Sequence, residues 1–589
     1  MTRLDHLILS TLCLLPSTQG GNIPSKSCKA YPGTSDWPCH KTWSHLNETL
    51  GGNLLAPTPP GAVCHKGWPT YSKDTCPNVL AAWKVYEVHA ENPVSVIYDH
   101  YTNWTCLPNP KYPCSDSGYP AYVVNVTKPE HVQAGIDFAR KHNIRLVVKN
   151  TGHDYMGRSV APGSLSLWTH HLKDFKYHKG SFKLYNSKTT IPGDAVTAGA
   201  GSQMYDVYTL LDKYDRVVVG GGGKSVGLGG YLTGGGHSLL SPRYGLAVDQ
   251  VLQMTMVTPG GKILTINEDN HPDLFWAMRG GGGSTLGVLT SITLKVYKTP
   301  KITASTITIG TAAEAPFKYE LLAYVFSQFP SLTDAGLSGY TALSPKTPNP
   351  APAPGAPKEV AGISGILAAQ DVEDPEYIQK LLKPINETIQ KRWPGLTQFT
   401  ATSEKYSSFL KWYDVYYDQG TAGESNYIVS RLLTKESMEK DEAALADALK
   451  AGMIPSGGMI AHLVSGKGVR DARPRGGSLS ANPGWRKSYV HALAGHSFPA
   501  FNRTAEAEAV KSLITTWEPF RTLSPDTGAY LNEALPFEPD WQHTFWGKNY
   551  ERLLSIKKSV DPNDVFWCFP CVGSEGWKQK TNGQLCRVK

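Results

Sequence analysis

The chain has no run of lysine and arginine and no stripe of basic residues interleaved with aromatics. Its 58 Lys+Arg against 50 Asp+Glu leave a net charge of +8 over 589 residues, which gives nucleic-acid binding little support. Past the first twenty residues no segment approaches the ~20 consecutive apolar residues of a membrane helix, so no bilayer span is expected. Cys568-Phe569-Pro570-Cys571 has no second Cys-x-x-Cys near it, which leaves a structural zinc without its ligands. A disulfide or a thiol pair remains. No internal repeat is evident.

What is present starts with a secretory pattern. Arg3 supplies positive charge, Leu7 to Leu15 an apolar core too short to span a bilayer, and Pro16 to Gly21 small and polar residues suited to cleavage. Residues 1–20 therefore read as a signal peptide. Sequons at Asn47, Asn103, Asn125, Asn386 and Asn502 agree with a eukaryotic secretory route and are the glycosylation candidates. The cysteines agree as well. Cys28, Cys39, Cys64, Cys76, Cys106 and Cys114 crowd one end, and Cys568, Cys571 and Cys586 the other. In a secreted chain these are disulfide formers. Pairing of sequence neighbours is the expectation: Cys28–Cys39, Cys64–Cys76 and Cys106–Cys114, although sequence does not decide connectivity. Loss of Cys13 with the signal leaves an odd number, hence one free or intermolecular thiol.

The chain is too long for one core, and its 57 glycines and 42 prolines imply many loops. Residues 21–115 form a Cys/Pro/Trp-rich extension. A βα pattern occupies 116–299. Ala121 to Val126 reads as a strand; Thr127 and Glu130 form a capping-box pattern with Pro129 in the first turn; Val132, Ile136 and Ala139 mark one helix face. Ile144 to Val148 is the next strand. Arg216 to Val219 is a short strand, Met254 to Val257 and Lys262 to Ile266 flank a hairpin turn, Asp273 to Met278 is helical, and Gly287 to Val296 closes the region as a strand. Residues 300–525 alternate less regularly and read as a substrate domain, with Pro345 to Pro357 as an exposed, linker-like loop. Residues 526–589 form a closing segment.

Two stretches carry chemistry. Lys149-Asn150-Thr151-Gly152-His153-Asp154-Tyr155-Met156-Gly157-Arg158-Ser159 leaves the end of a strand, where α/β folds place ligands. Its glycines permit tight turning, and its free N–H groups can form a nest for a pyrophosphate. A solvated surface loop is the bland alternative. The second stretch runs from Gly220 to Ser238. Gly223-Lys224-Ser225 invites a phosphate-loop reading, but that motif needs glycine where Val218 stands. A dinucleotide fingerprint would put its acid near Asp249, but Gly227-Leu228-Gly229-Gly230 is too glycine-dense to start a helix well. Glycine-rich turns of purely structural use are a third option.

Taken together, these stretches resemble the vanillyl-alcohol-oxidase/p-cresol-methylhydroxylase flavoproteins, in their berberine-bridge-enzyme-like branch. The 149–159 loop resembles the family's pyrophosphate loop. Gly227 to Gly230, Gly234-Gly235-Gly236 and Arg243 to Asp249 resemble its second flavin-binding stretch. Asp273 to Gly283 with Gly287-Val288 resembles the third, and Trp546 to Leu553 with Asp561-Pro562 and Phe566 the segment that returns to the flavin. All four come in family order. The extension and the closing Val572 to Trp577 look like the fungal secreted members. The resemblance implies an α+β fold: a p-cresol-methylhydroxylase-type (PCMH-type) FAD-binding domain of two α+β subdomains, plus an α+β substrate domain with an antiparallel sheet. It implies FAD held by Asn150, Thr151, Gly152, Asp154, Tyr155, Gly157, Arg158, Ser159, Gly227, Gly229, Gly230, Gly234, Gly235, Gly236, Tyr244, Gly245, Gly287, Val288, Asn549 and Tyr550, and bound covalently through His153. Many members add a cysteinyl bond from the glycine block. Here Gly223 sits about where that cysteine would fall, so a single linkage is expected.

The activity implied is hydride removal from an alcohol, amine or C–H of a small molecule, with O2 as acceptor. An oxidative cyclase and a non-catalytic flavin-fold binding protein are the rivals. The base is to be sought in Gly528-Ala529-Tyr530-Leu531-Asn532-Glu533, which resembles the family segment lining the substrate face. Read as a strand, it places Tyr530 and Asn532 on one face and Glu533 on the other. A buried Glu533 raised toward neutrality, or Tyr530 lowered by a cation, would serve. His237 is a third candidate. No metal is expected.

Overall fold

The computed structural model describes residues 27–349, 356–374, 376–454 and 457–588. The expected signal peptide, with Cys13, lies outside the described residues. The β–α–β unit forms as the apolar spacing requires. Strands Tyr122–Asn125 and Leu146–Lys149 flank Leu165–Trp168, both parallel to it, and Leu54–Leu55 of the extension pairs antiparallel on the outer edge. The crossover helix Pro129–Lys141 buries Val132, Ile136 and Ala139 against this sheet. Its cap differs from the expectation. Lys128 is the N-cap, without a side-chain bond, and Thr127 turns instead to His131, whose Nδ1 lies 3.5 Å from the Thr127 amide.

A second, antiparallel sheet follows in the order Ile263–Ile266, Val251–Val257, Val288–Lys295, Ala195–Gly199, Phe175–His178. The Arg216 strand is shorter than expected, Arg216–Val217. A helix, Leu228–Gly234, does start in the glycine block. Leu228, Tyr231 and Leu232 pack into the main core, and that burial overrides the poor propensity of three glycines.

From Ile302 onward a seven-stranded antiparallel sheet takes over, in the order Thr397–Tyr406, Ile302–Ala312, Glu359–Gln370, Leu337–Pro348, Met459–Leu463, Ser488–Ser497, Asn426–Thr434. Helices Lys318–Ser327, Tyr377–Arg392, Glu442–Gly452 and Arg503–Thr516 cover one face with Phe326, Leu382, Leu445 and Leu513. The other face is turned toward the glycine-rich loops. The Pro/Ala-rich stretch connects two strands of this sheet: the Asn349 amide donates to the Lys358 carbonyl across it, and residues 350–355 lie outside the described ones.

The closing segment packs back on the first half. Helix Tyr550–Val560 lies against helix Pro272–Met278, with the Arg552 guanidinium 4.0 Å from the Trp276 ring. Phe566 bridges Leu146. The extension does the same from the other end, where Trp43 stacks on Tyr122 at 4.0 Å.

The disulfides correct one expectation. Cys64–Cys76, Cys106–Cys114 and Cys568–Cys571 form, but Cys28 pairs with Cys586, 558 residues away, and not with Cys39. Residue 28 and the 585–587 strand meet because Lys29 donates to the Leu585 carbonyl and Arg587 to that of Ser27. Cys39 is disulfide-bonded too, so among the described residues no odd thiol is left. Opening the long-range bond with Cys586→Ser is expected to cost about 2–4 kcal/mol by freeing the unfolded chain. A thermal scan reads this as a lowered midpoint; an unchanged midpoint would show that packing alone holds the two ends.

Candidate active site

The strand Leu146–Lys149 delivers the 150–159 loop to one side of a cavity of about 830 Å³. Asn150, Thr151, Gly152, His153, Asp154, Tyr155, Arg158 and Ser159 line it. Gly152 (φ +80°) needs its left-handed backbone, and a Cβ there would stand 2.9 Å from the Ser95 carbonyl oxygen. Gly157 turns away from the cavity, against the Tyr101 ring. Asp154 and Arg158 pair at 2.5 Å, and Arg158 also donates to Asn532 Oδ1.

Opposite the loop lies a floor of glycines: Gly221, Gly222, Gly223, Gly227, Gly229, Gly230, Gly283 and Gly287, with Val288 beside them. A Cβ on Gly227 would sit 2.3 Å from Asn150 Nδ2, whereas Gly230 has nothing within 4 Å. Asn150 Oδ1 and Arg158 Nη1 are buried without a partner among the described residues. An orphan acceptor, an orphan donor and a side-chain-free floor around one large void suit a planar, phosphorylated dinucleotide.

His153 stands between loop and floor. Its Nε2 is 2.8 Å from Ser225 Oγ, and the Tyr86 ring meets it edge-on at 4.6 Å. Burial, then Lys149 and His89, push its pKa down to about 3, so the imidazole is neutral at physiological pH. Lys149 itself is buried beneath the loop, donating to the carbonyls of His89 and Ala90, and burial lowers it to about 7.

The open face of the seven-stranded sheet is the roof. Alternation puts Tyr340, Ala342 and Ser344 of one strand into the cavity. The register sets Tyr340 opposite His462 and His462 opposite His491, a cross-strand row above the glycines. Glu533 meets this row from below. His491 Nε2 lies 2.9 Å from its Oε2, and His237 Nε2 3.2 Å from its Oε1. Burial raises Glu533, but the charge and hydrogen bonds of His237 and His491 outweigh it and hold the carboxyl well below its usual value. The expected rise toward neutrality does not occur. Tyr530 moves the other way: burial, then Glu533, raise the phenol above its normal range, so it stays protonated. Its oxygen accepts from Asn532 Nδ2 at 3.0 Å.

The 528–534 segment is not a strand. The Glu533 amide donates to the Tyr530 carbonyl at 3.0 Å, and this turn brings Tyr530, Asn532 and Glu533 to the same cavity. His237 lines it too.

Other expected positions do not reach the cavity. Gly234 backs onto the Asn532 side chain, Gly235 and Gly236 pack under Tyr530 and Tyr231, and Gly245 lies against Asp249. Tyr244 stacks on Tyr297 at 3.9 Å. Asn549 Nδ2 donates to the carbonyls of Ser480 and Ala481, and the Tyr550 hydroxyl bonds Glu575. These are supports. Asp249 pairs bidentately with Arg486, which ends the dinucleotide-fingerprint reading, and Lys224 turns to Asp414 and the Tyr417 ring, away from any phosphate-loop role.

Sequence reasoning missed Ser225, Tyr340, Asp418, His462 and His491. For His491 a signal existed: in Ser488–Ser497 it interrupts an apolar strand at a position its neighbours bury. Among the described residues no helix is long and apolar enough to cross a membrane.

Comparison with known proteins agrees with this geometry. The FAD binding domain family matches residues 120–267, and the berberine and berberine-like family matches 529–570. The FAD-linked oxidoreductase patO of Aspergillus clavatus is 34% identical, over 99% of this chain and 98% of its own. The bifunctional decalin synthase calF of Penicillium decumbens is 32% identical, over 99% of each. The crystal structure of the VAO-type flavoprotein MtVAO615 from Myceliophthora thermophila C1 superposes with a TM-score of 0.85 at 30% identity, covering 95% of this chain and 100% of that one.

Proposed function

The chain belongs to the vanillyl-alcohol-oxidase-type, berberine-like FAD-linked oxidoreductases, and from that premise we propose that it is a secreted oxidase of a small organic, secondary-metabolite-like substrate. It removes hydride from an alcohol, an amine or an activated C–H and reduces O2 to H2O2. The observation that carries this reading is the opening of His153 and an ionised Glu533 onto one glycine-floored cavity. Bound FAD would supply the hydride acceptor and the route to oxygen. Asn150, Thr151, Arg158 and the glycine floor would hold it, with His153 as its single covalent attachment.

The chain's own groups do the rest. Glu533 accepts the hydroxyl proton as the C–H electron pair leaves the substrate, so the alcohol becomes a carbonyl. His237 and His491 fix the carboxylate and keep it charged. Tyr530, protonated, donates to the substrate oxygen. We divide the chain into the extension, 21–115; the FAD-binding region, 116–299; the substrate region, 300–525; and the segment 526–589, which supplies Glu533. Secretion is supported by the disulfides, and glycans by the exposure of Asn103 and Asn502. Asn47, Asn125 and Asn386 are partly buried and weaker candidates.

A second reading, C–C bond formation after hydride removal, takes its support from the decalin synthase relative.

The test is to precipitate the purified protein in acid. Yellow retained on the polypeptide, on a peptide containing His153 and on no other, is the expected result. Yellow released into the supernatant would end the covalent claim, and folded colourless protein the flavin reading altogether. Peroxide formed in step with substrate loss checks the acceptor.

A further inference from the structure

The cavity wall holds four carboxylates, and three are satisfied. Asp154 pairs with Arg158, Glu533 with two histidines, and Glu424 with Lys84 at 3.3 Å. Asp418 is the exception: no cationic side chain pairs with it among the described residues. Lys224, next to the Gly223 that bridges Asp418, is drawn off to Asp414.

The position of Asp418 is built. Its amide donates to the Gly222 carbonyl at 2.9 Å, which pins it to the rim of the glycine floor. The Gly420 amide donates to its Oδ1 at 2.9 Å and leaves Oδ2 without a partner among the described residues. Rings frame it. Tyr340 and Asp418 stand over the same glycine: a Cβ on Gly222 would find the Tyr340 hydroxyl at 3.7 Å and the Asp418 Cβ at 3.9 Å. The Tyr86 hydroxyl closes the other side, against Gly420. Tyr416 lines the same wall.

We infer that the substrate carries a protonated amine, and that Asp418, framed by Tyr86 and Tyr340, is its anchor. The inference rests on the reading of this cavity as the oxidase's substrate site. A carboxylate with a free oxygen, open to the cavity between two phenol hydroxyls, recognises an ammonium by a charge-assisted hydrogen bond, with the hydroxyl oxygens as further acceptors. Asp418 is open to the cavity, yet the protein packed around it desolvates the carboxyl and raises its pKa, and the charge of Glu533 adds to this. An ammonium between the carboxylates relieves both costs. The amine lies at Asp418, and the oxidised carbon faces Glu533, so the substrate class is an amino alcohol or a larger basic molecule. An acid is rejected.

The test compares three probes of one shape by calorimetry on the yellow holoenzyme: tyramine, 4-ethylphenol and 3-(4-hydroxyphenyl)propionate. Tyramine is expected to bind about 10- to 100-fold more tightly than 4-ethylphenol, and the carboxylate more weakly than both. Asp418→Asn should erase the tyramine preference while 4-ethylphenol binds as before, and Asp418→Glu should keep part of it. Equal binding of tyramine and 4-ethylphenol overturns the proposal, as does no tyramine binding at about 10 mM. So does an Asp418→Asn protein that keeps the preference or loses all three probes alike. A colourless preparation, in contrast, would count against the flavin reading before any probe is added.

Discussion

Glu533→Gln is expected to lower kcat/KM by about 10²–10⁴ while the protein stays yellow and folded. Glutamine keeps the shape and can still accept from one histidine. It cannot take the substrate proton, and its amide N–H faces the Nε2 of a second histidine that in the wild type hydrogen-bonds the carboxylate. Stopped-flow bleaching of the flavin by substrate under argon isolates this step from oxygen. A variant within a factor of about 10 of wild type would remove Glu533 as the base. The pH profile adds a check. The folded-state pKa lies below the usual 4.5 of the side chain, so the carboxylate's contribution to stability is complete above that value. It is lost only as pH falls through the depressed one. The acid limb of kcat/KM should therefore lie below pH 4.5; a limb near neutrality would mean that the histidines do not hold the charge in the way described.

Gly280→Ala is expected to destabilise the fold by about 4 kcal/mol or more, enough to abolish the yield of folded protein. Gly280 has φ +120°, and an added Cβ would lie 2.1 Å from the Ala481 nitrogen and 2.3 Å from its Cα. Backbone stands on the receiving side, so no side chain can swing away. The position is a seam. The Gly280 carbonyl accepts from Trp546 Nε1 at 3.0 Å, and the Ala481 amide donates to the Arg279 carbonyl. Three distant parts of the chain meet there, and displacing one displaces the others. Urea unfolding against wild type, with Gly477→Ala as a control, reads the effect. Gly477 also has positive φ but no neighbour within 4 Å, so it should show only the smaller cost of backbone strain.

Much of the first half of the fold was legible. Val132, Ile136 and Ala139 announce their helix because burial on one face repeats every 3.6 residues. The His153 loop announces itself because glycine, histidine and a preceding strand leave few other uses. Glu533 was found, but its geometry was not. A strand reading set it opposite Tyr530, whereas a single turn bond reverses it, and local propensity does not encode that bond. Its ionisation depends on His237 and His491, which lie 296 and 42 residues away in the chain. The Cys28–Cys586 pairing belongs to the same kind of fact. Neighbour pairing is a rule about chain entropy, and here strand contacts at the two ends overrule it.

The cavity's two walls are made at different times. His153 precedes Glu533 by 380 positions (533 − 153), and at about 5–20 residues per second the ribosome needs about 20–80 s to travel between them. During that interval the nucleotide loop exists without the turn that closes it, and Cys28 waits still longer for Cys586. Closure of the cavity and of the Cys28–Cys586 ring thus waits for residues beyond Glu533 to emerge. A cell making this protein has to shelter a long nascent chain until the residues around Glu533 and Cys586 arrive.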